Sequence, residues 1–193
     1  MEAAVSGLVE RHQALSIHQI SFVIRVHPQK DPGCCLRAHD FLRAFCRRYS
    51  YAIVIFDREG CGREEISRTE IEREVESRLA SSGWPDGRAR AIVIDPELEA
   101  WVWSDSPRVD HVLGWGDRTP SVREWLDTQE FNILDNGKPE RPKEAVEAVL
   151  RDVRKARSSA IYRELANQVS LRRCVDPAFN KLTATLRNWF PAT

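Results

Sequence analysis

The chain has 193 residues, 42% of them hydrophobic and 30% charged, enough for one ordinary domain, or one with a helical extension, around a sizeable core. Two large domains and disorder throughout are excluded. The 29 Lys+Arg balance the 29 Asp+Glu, but residues 138–193 carry twelve basic against six acidic residues, so the tail is basic and the remainder acidic.

No window approaches eighteen consecutive apolar residues, and Glu2, Glu10, Arg11, His12 and His18 interrupt the first part of the chain. A membrane span and a secretory leader are therefore not expected, and the cytoplasm is the expected location. Cys34, Cys35, Cys46, Cys61 and Cys174 are odd in number and lack paired spacing, which favours reduced thiols over a disulfide framework.

In chain order, Val5, Leu8 and Val9 predict a short helix over 2–11, and the β-branched run Ile20–Val26 (ISFVIRV) predicts a buried strand. Leu36, Phe41, Leu42, Phe45 and Cys46 predict a helix over 34–48, followed by a second strand, Tyr51–Phe56. Ile66, Ile71, Val75 and Leu79 form a narrow apolar stripe on a charged helix, and Ala91–Ile94 reads as a third strand. Three parallel strands joined by crossover helices follow, an α/β arrangement.

From Pro96 onward the pattern is helical, with segments expected at 96–103, 107–113, 120–128, 142–155, 159–169 and 177–190. Asp95-Pro96, Thr119-Pro120 and Asp176-Pro177 each read as an N-cap followed by proline at the first helical position. The expected organisation is an α/β core over 1–105 and a helical extension over 106–193.

Two strand ends carry acids. Asp57-Arg58-Glu59-Gly60-Cys61-Gly62 follows the second strand, and Asp95-Pro96-Glu97-Leu98-Glu99 follows the third. In an open parallel sheet ligands gather beyond the carboxyl ends of the strands, so both clusters are expected on one edge. Carboxylates two residues apart in a loop can turn towards a hard cation, and Mg²⁺ takes one or two protein carboxylates while keeping waters and phosphate oxygens. Gly60 and Gly62 allow the tight turn. Each acid also has a structural reading: Asp57 and Glu59 as a solvated turn, Asp95 as an N-cap, and Glu97 as a first-turn acid favoured by the helix dipole. Leu98, Trp101 and Val102 define a buried stripe that leaves Glu99 to one side.

Asp57-x-Glu59-x-x-Gly62 after an apolar strand resembles the DxDxxG motif of TOPRIM-like domains. Glu97-Leu98-Glu99-Ala100-Trp101 is similar to the acid-Leu-Glu-Ala-Trp signature of a TOPRIM-like family of unknown function from bacterial anti-phage loci, methylation-associated defence systems among them. At fold level the resemblance covers roughly residues 1–105, and Lys138–Pro142, Ser158–Tyr162 and Asp176–Phe190 resemble that family's tail. It implies a TOPRIM-like sheet, a Mg²⁺ or Mn²⁺ site drawing on Asp57, Glu59, Glu97 and Glu99, and phosphodiester hydrolysis in which Asp57, Glu59 and Glu99 act. Its implied partners are nucleic acid and other defence-system proteins. The alternative it leaves open is a TOPRIM-like subunit that binds or regulates without catalysis. Two departures stand out. Glu59 replaces the second Asp, and the expected helix over 2–11 stands where a first strand ending in Glu would precede it. Glu2 falls inside that helix.

On the basic tail, Lys143, Arg151 and Arg154 fall near one helical face, with Lys155 and Arg157 beside them. This band is expected either to follow a phosphate backbone or dock a partner, or to pair with Glu144, Glu147 and Asp152 at helical spacing. His27, Cys34, Cys35 and His39 lack the spacing of a zinc site, and no Walker-type loop or nucleophile motif is present. The six tryptophans fall mostly at helical spacing, as core or interface anchors.

Overall fold

The computed structural model describes residues 1–192. The chain is mixed α/β and divides into two compact units: Arg25–Leu98, and Met1–Ile24 together with the chain from Glu99 onward.

Helices α1 (Glu2–Glu10) and α2 (His12–Leu15) open the chain and belong to the second of these units. The first unit holds helix α3 (Lys30–Arg43), strand β1 (Ala52–Asp57), helix α4 (Arg68–Ser81) and strand β2 (Ala89–Ile94). β1 and β2 pair in parallel, from Ala52 opposite Ala89 to Asp57 opposite Ile94. Because side chains alternate across a strand, Val54, Phe56, Ala91 and Val93 share a face. They pack with Cys35 and Ala38 of α3 and with Ile71, Val75 and Leu79 of α4 in one apolar core. Ser67 caps α4 by accepting a hydrogen bond from the Glu70 amide.

The free edge of β2 is closed by side chains. The Val93 N–H donates to Glu72 Oε1 at 3.0 Å and the Ala91 N–H to Glu76 Oε1 at 3.0 Å. Glu72 and Glu76 are one helical turn apart on α4, so a single helix face covers two successive outward amides and blunts an edge that another chain could otherwise extend.

The sheet has two strands, not three. Ile20–Val26 pairs with neither β1 nor β2, and no hydrogen bond from its backbone to the rest of the described chain is formed. Phe22, Val23 and Val26 are 38%, 59% and 63% exposed. The β-branched pattern there specifies a residue's preference for extended backbone, but a strand also needs a neighbouring ladder, which local sequence cannot supply.

In the second unit, α5 (Glu99–Val102), α6 (Pro107–Leu113), α7 (Val122–Thr128), α8 (Pro142–Asp152), α9 (Ser159–Gln168) and α10 (Pro177–Trp189) follow the boundary, with a 3₁₀ turn at Leu171–Arg173. The N-terminal residues are fastened to these helices. Arg11 Nη1 donates to the carbonyls of Ala166 and Val169 at 2.6 and 2.8 Å, Arg187 Nε donates to Leu15 O at 2.8 Å, and Ile17 forms a bridge with Pro191. Gly7 lets α1 approach α9 closely, since a Cβ there would stand 3.2 Å from Arg163 O. The division between the units falls after Leu98, and residues 1–24 join the helical unit.

Of the three expected caps, Asp176 caps α10, accepting from the Ala178 and Phe179 amides at 2.9 and 3.2 Å. Asp95 caps nothing, because α5 starts at Glu99. Ser121, not Thr119, caps α7, in a reciprocal capping box with Glu124.

Candidate functional site

Asp57 is the last residue of β1, beside Ile94 at the end of β2. The chain leaves β1 without leaving the ladder. The Arg58 N–H donates to Ile94 O at 2.7 Å and the Glu59 N–H to Pro96 O at 2.9 Å, so the two acid-bearing turns run together off the carboxyl edge of the sheet. Gly60 and Gly62 have φ of +78° and +81°, the left-handed backbone that favours glycine, with open space at both positions. Between them Cys61 is fully buried in the core and anchors the turn.

Arg58 joins the turns a second time. Its Nε donates to Ile66 O at 3.2 Å and its Nη1 to Asp95 Oδ1 at 3.3 Å. Asp95 is therefore an ion-pair partner at this edge and not a helix cap. Glu64, whose Oε1 accepts from the Gly62 N–H at 3.1 Å, titrates below the ordinary Glu value because its own amide and that of Gly62 hydrogen-bond its carboxylate.

Glu59 is exposed and Asp57 half-buried, with Asp57 Oδ1 shielded from solvent. The Asp57 N–H donates to Asp31 Oδ1 at 3.3 Å. Asp31, in the first turn of α3, is a carboxylate that sequence reasoning missed. It stands where the helix following Ile20–Val26 begins, but 26 residues separate it from Asp57 and no local spacing links them. Glu97, on the turn after β2, is 4% exposed.

Glu99 has a different setting. It belongs to the helical unit, is 3% exposed, and accepts from the Tyr162 hydroxyl at 2.5 Å and from Arg157 Nη2 at 2.5 Å. Arg157 also donates through Nε to Tyr162 Oη at 2.8 Å and through Nη1 to Glu147 at 2.8 Å. Burial first, and the Glu99 carboxylate second, push the Tyr162 phenol above its ordinary range. Trp101, two residues on, donates from Nε1 to Asp176 Oδ1 at 2.9 Å and meets Phe179 edge-on at 5.4 Å. Asp176 Oδ2 in turn accepts from Lys138 Nζ at 2.9 Å. The Glu99–Trp101 half of the acidic signature thus forms hydrogen bonds that hold helices together.

Among the described residues no three His, Cys, Asp or Glu side chains form a metal-binding group. The donors at the edge, Asp57 and Glu59 with Asp31 adjoining, are hard oxygens that suit a hydrated Mg²⁺, which needs one or two protein carboxylates, and do not suit a closed cage.

The expected cationic band is broken up. α8 ends at Asp152 and Arg154 takes a left-handed φ of 56°, so the helix does not carry Arg154 and Lys155 onto the face of Lys143 and Arg151. Lys155 Nζ donates to Val112 O at 2.6 Å, Arg157 is held by Glu99 and Glu147, and Asp152 pairs with Arg118. Arg151 and Arg154 remain exposed.

Compared with protein-family models, curated proteins and solved structures, the chain matches none.

Proposed function

We propose that this protein is a TOPRIM-like component of prokaryotic antiviral defence that hydrolyses phosphodiester bonds in nucleic acid with Mg²⁺ or Mn²⁺ at the turn after β1. The observation that carries the reading is the pair of acid-bearing turns hydrogen-bonded to each other beyond the carboxyl ends of parallel strands, through Arg58–Ile94 and Glu59–Pro96. The defence assignment rests on the resemblance of Asp57-x-Glu59-x-x-Gly62 and Glu97–Trp101.

Asp57 and Glu59 would hold the cation, with Asp31 adjoining. Bound there, a divalent cation supplies polarisation of a phosphoryl oxygen and a water of lowered pKa. The chain's own contribution is position and charge. Arg58, tied to Ile66 and Asp95, fixes the spacing of the two turns and is not free to take substrate. Glu59, exposed on the same turn, would accept a proton from water through the carboxylate oxygen that the cation leaves free. The test is cleavage of DNA and RNA with Mg²⁺ or Mn²⁺. Asp57→Asn is expected to abolish nicking while leaving the melting temperature within a few degrees. Equal cleavage by both proteins overturns the reading.

The second reading, a TOPRIM-like subunit that binds or regulates without catalysis, is favoured by one observation: Glu99 is taken up by Tyr162 and Arg157. It predicts that wild type shows no metal-dependent cleavage and that Asp57→Asn still co-purifies with defence partners.

A further inference from the structure

The end of β1 away from Asp57 carries a surface that the acidic turn leaves unexplained. From Phe41 to Phe56 the sequence has three arginines, Arg43, Arg47 and Arg48, and no Asp or Glu. α3 ends at Arg43, so Arg47 and Arg48 lie in the turns before β1. Arg25, Arg43, Arg47, Arg48 and Arg88 are all exposed, and among the described residues none of the five is in an ion pair. Exposed cations that no ion pair neutralises favour the approach of a polyanion.

Aromatic rings alternate with these cations. The Arg25 guanidinium lies 4.5 Å from the Phe45 centroid, that of Arg48 lies 5.8 Å from Tyr49, and that of Arg88 lies 5.3 Å from Tyr51. Phe45 and Tyr49 are 6.0 Å apart, which makes Arg25, Phe45, Tyr49 and Arg48 one continuous row. Arg88 is tied to the same end of the sheet, since the Ala52 N–H donates to its carbonyl at 2.9 Å. All three rings are half-buried, braced yet still reachable.

We propose that this surface grips single-stranded nucleic acid, with the arginines following the phosphates and Phe45, Tyr49 and Tyr51 receiving unstacked bases. Phosphate neutralisation supplies affinity without sequence preference, and ring faces accept any base that is not already stacked in a duplex. The proposal rests on the reading of nucleic acid as the substrate and narrows that substrate to single strands. β1, at about 3.3 Å per residue, separates this surface from Asp57 by roughly 17 Å, a span that a few nucleotides can cross.

Fluorescence anisotropy with a labelled oligothymidylate of about 16 nucleotides, and with a duplex of equal length, tests it. EDTA is kept in the buffer so that binding is read apart from any metal chemistry. Wild type should bind the single strand at least about tenfold more tightly than the duplex. Arg47→Ala/Arg48→Ala should weaken binding about tenfold and flatten the log–log salt slope by about 1.4, or about 0.7 for each phosphate that is no longer neutralised. Tyr49→Ala should weaken it about tenfold while Tyr49→Trp retains it. Because EDTA removes any divalent cation, a failure of the hydrolytic reading leaves this binding measurement intact. The proposal is overturned if wild type does not bind, if the duplex binds as tightly, or if Arg47→Ala/Arg48→Ala binds like wild type. It is equally overturned if an Arg151→Ala/Arg154→Ala variant shows the loss instead. Arg47 and Arg48 are exposed and outside helices and strands, so their double variant stays folded and decides the matter even if Tyr49→Ala does not.

Discussion

Asp57 ends β1 and Glu99 opens the helix that follows β2, both in short acidic stretches, yet their surroundings differ. Asp57 is the half-buried last residue of β1, ahead of the glycine-rich turn that carries exposed Glu59, and its backbone N–H donates to Asp31. Glu99 is buried, and its carboxylate accepts from a phenol and a guanidinium. A carboxylate that keeps access to water can exchange ligands. One whose lone pairs are filled by neighbours in a low-dielectric interior contributes to folding, and its removal is strongly destabilising. The contrast separates a solvent-facing acidic turn from a buried carboxylate held by its neighbours, although one short motif spans both.

The largest effect expected from this contrast lies in the helical unit. Asp176→Ala removes an N-cap, the acceptor of Trp101 and the partner of buried Lys138 together. It should cost about 3–5 kcal/mol in urea unfolding, because a buried ammonium is left without its counter-charge. A loss under about 1 kcal/mol would show that this network is not structural.

Glu99→Ala should follow at about 2–4 kcal/mol, less because Arg157 is 41% exposed and can turn to water. The contrast breaks if this variant keeps wild-type stability but loses metal-dependent cleavage, since Glu99 would then belong with Asp57.

A pH series sharpens the same boundary. Burial pushes the Cys174 thiol from its ordinary 9.0 up to about 11. The native state therefore holds this proton more tightly than the unfolded chain does. The resulting stability is complete below pH 9 and lost as pH rises through about 11. Wild type should lose about 2 kcal/mol more than Cys174→Ala between about pH 8 and about pH 10.5. Parallel curves for the two proteins would contradict it.

The smallest effect is expected at Asp57. Asp57→Asn should change unfolding free energy by less than about 1 kcal/mol, because the amide keeps the shape of the carboxyl group at the half-buried end of β1. A loss comparable to that of Glu99→Ala would move Asp57 from chemistry to scaffold.

Part of this site could be read without the fold. The adjoining of the two acid turns follows from two parallel strands of matched length, and the runs of β1 and β2 announce those strands by composition. Asp31 could not be found this way. Nor could Glu72 and Glu76 be recognised as the groups that close the β2 edge. On α4 they read as ordinary members of a charged face, and their partners are 21 and 15 residues away.

The sequence by itself determined what depends on near neighbours. The period of apolar residues set the helices, the apolar runs set β1 and β2, and Asp176-Pro177 set the start of α10, because propensity, alternation and capping act within a few residues. Tertiary structure alone decided what depends on distant partners. It left Ile20–Val26 without a ladder, joined residues 1–24 to the helices through Arg11 and Gly7, and filled the Glu99 carboxylate from Arg157 and Tyr162, 58 and 63 residues away. A residue's type fixes which bonds it can make, but whether a buried group finds its partner is settled only when packing brings distant segments together.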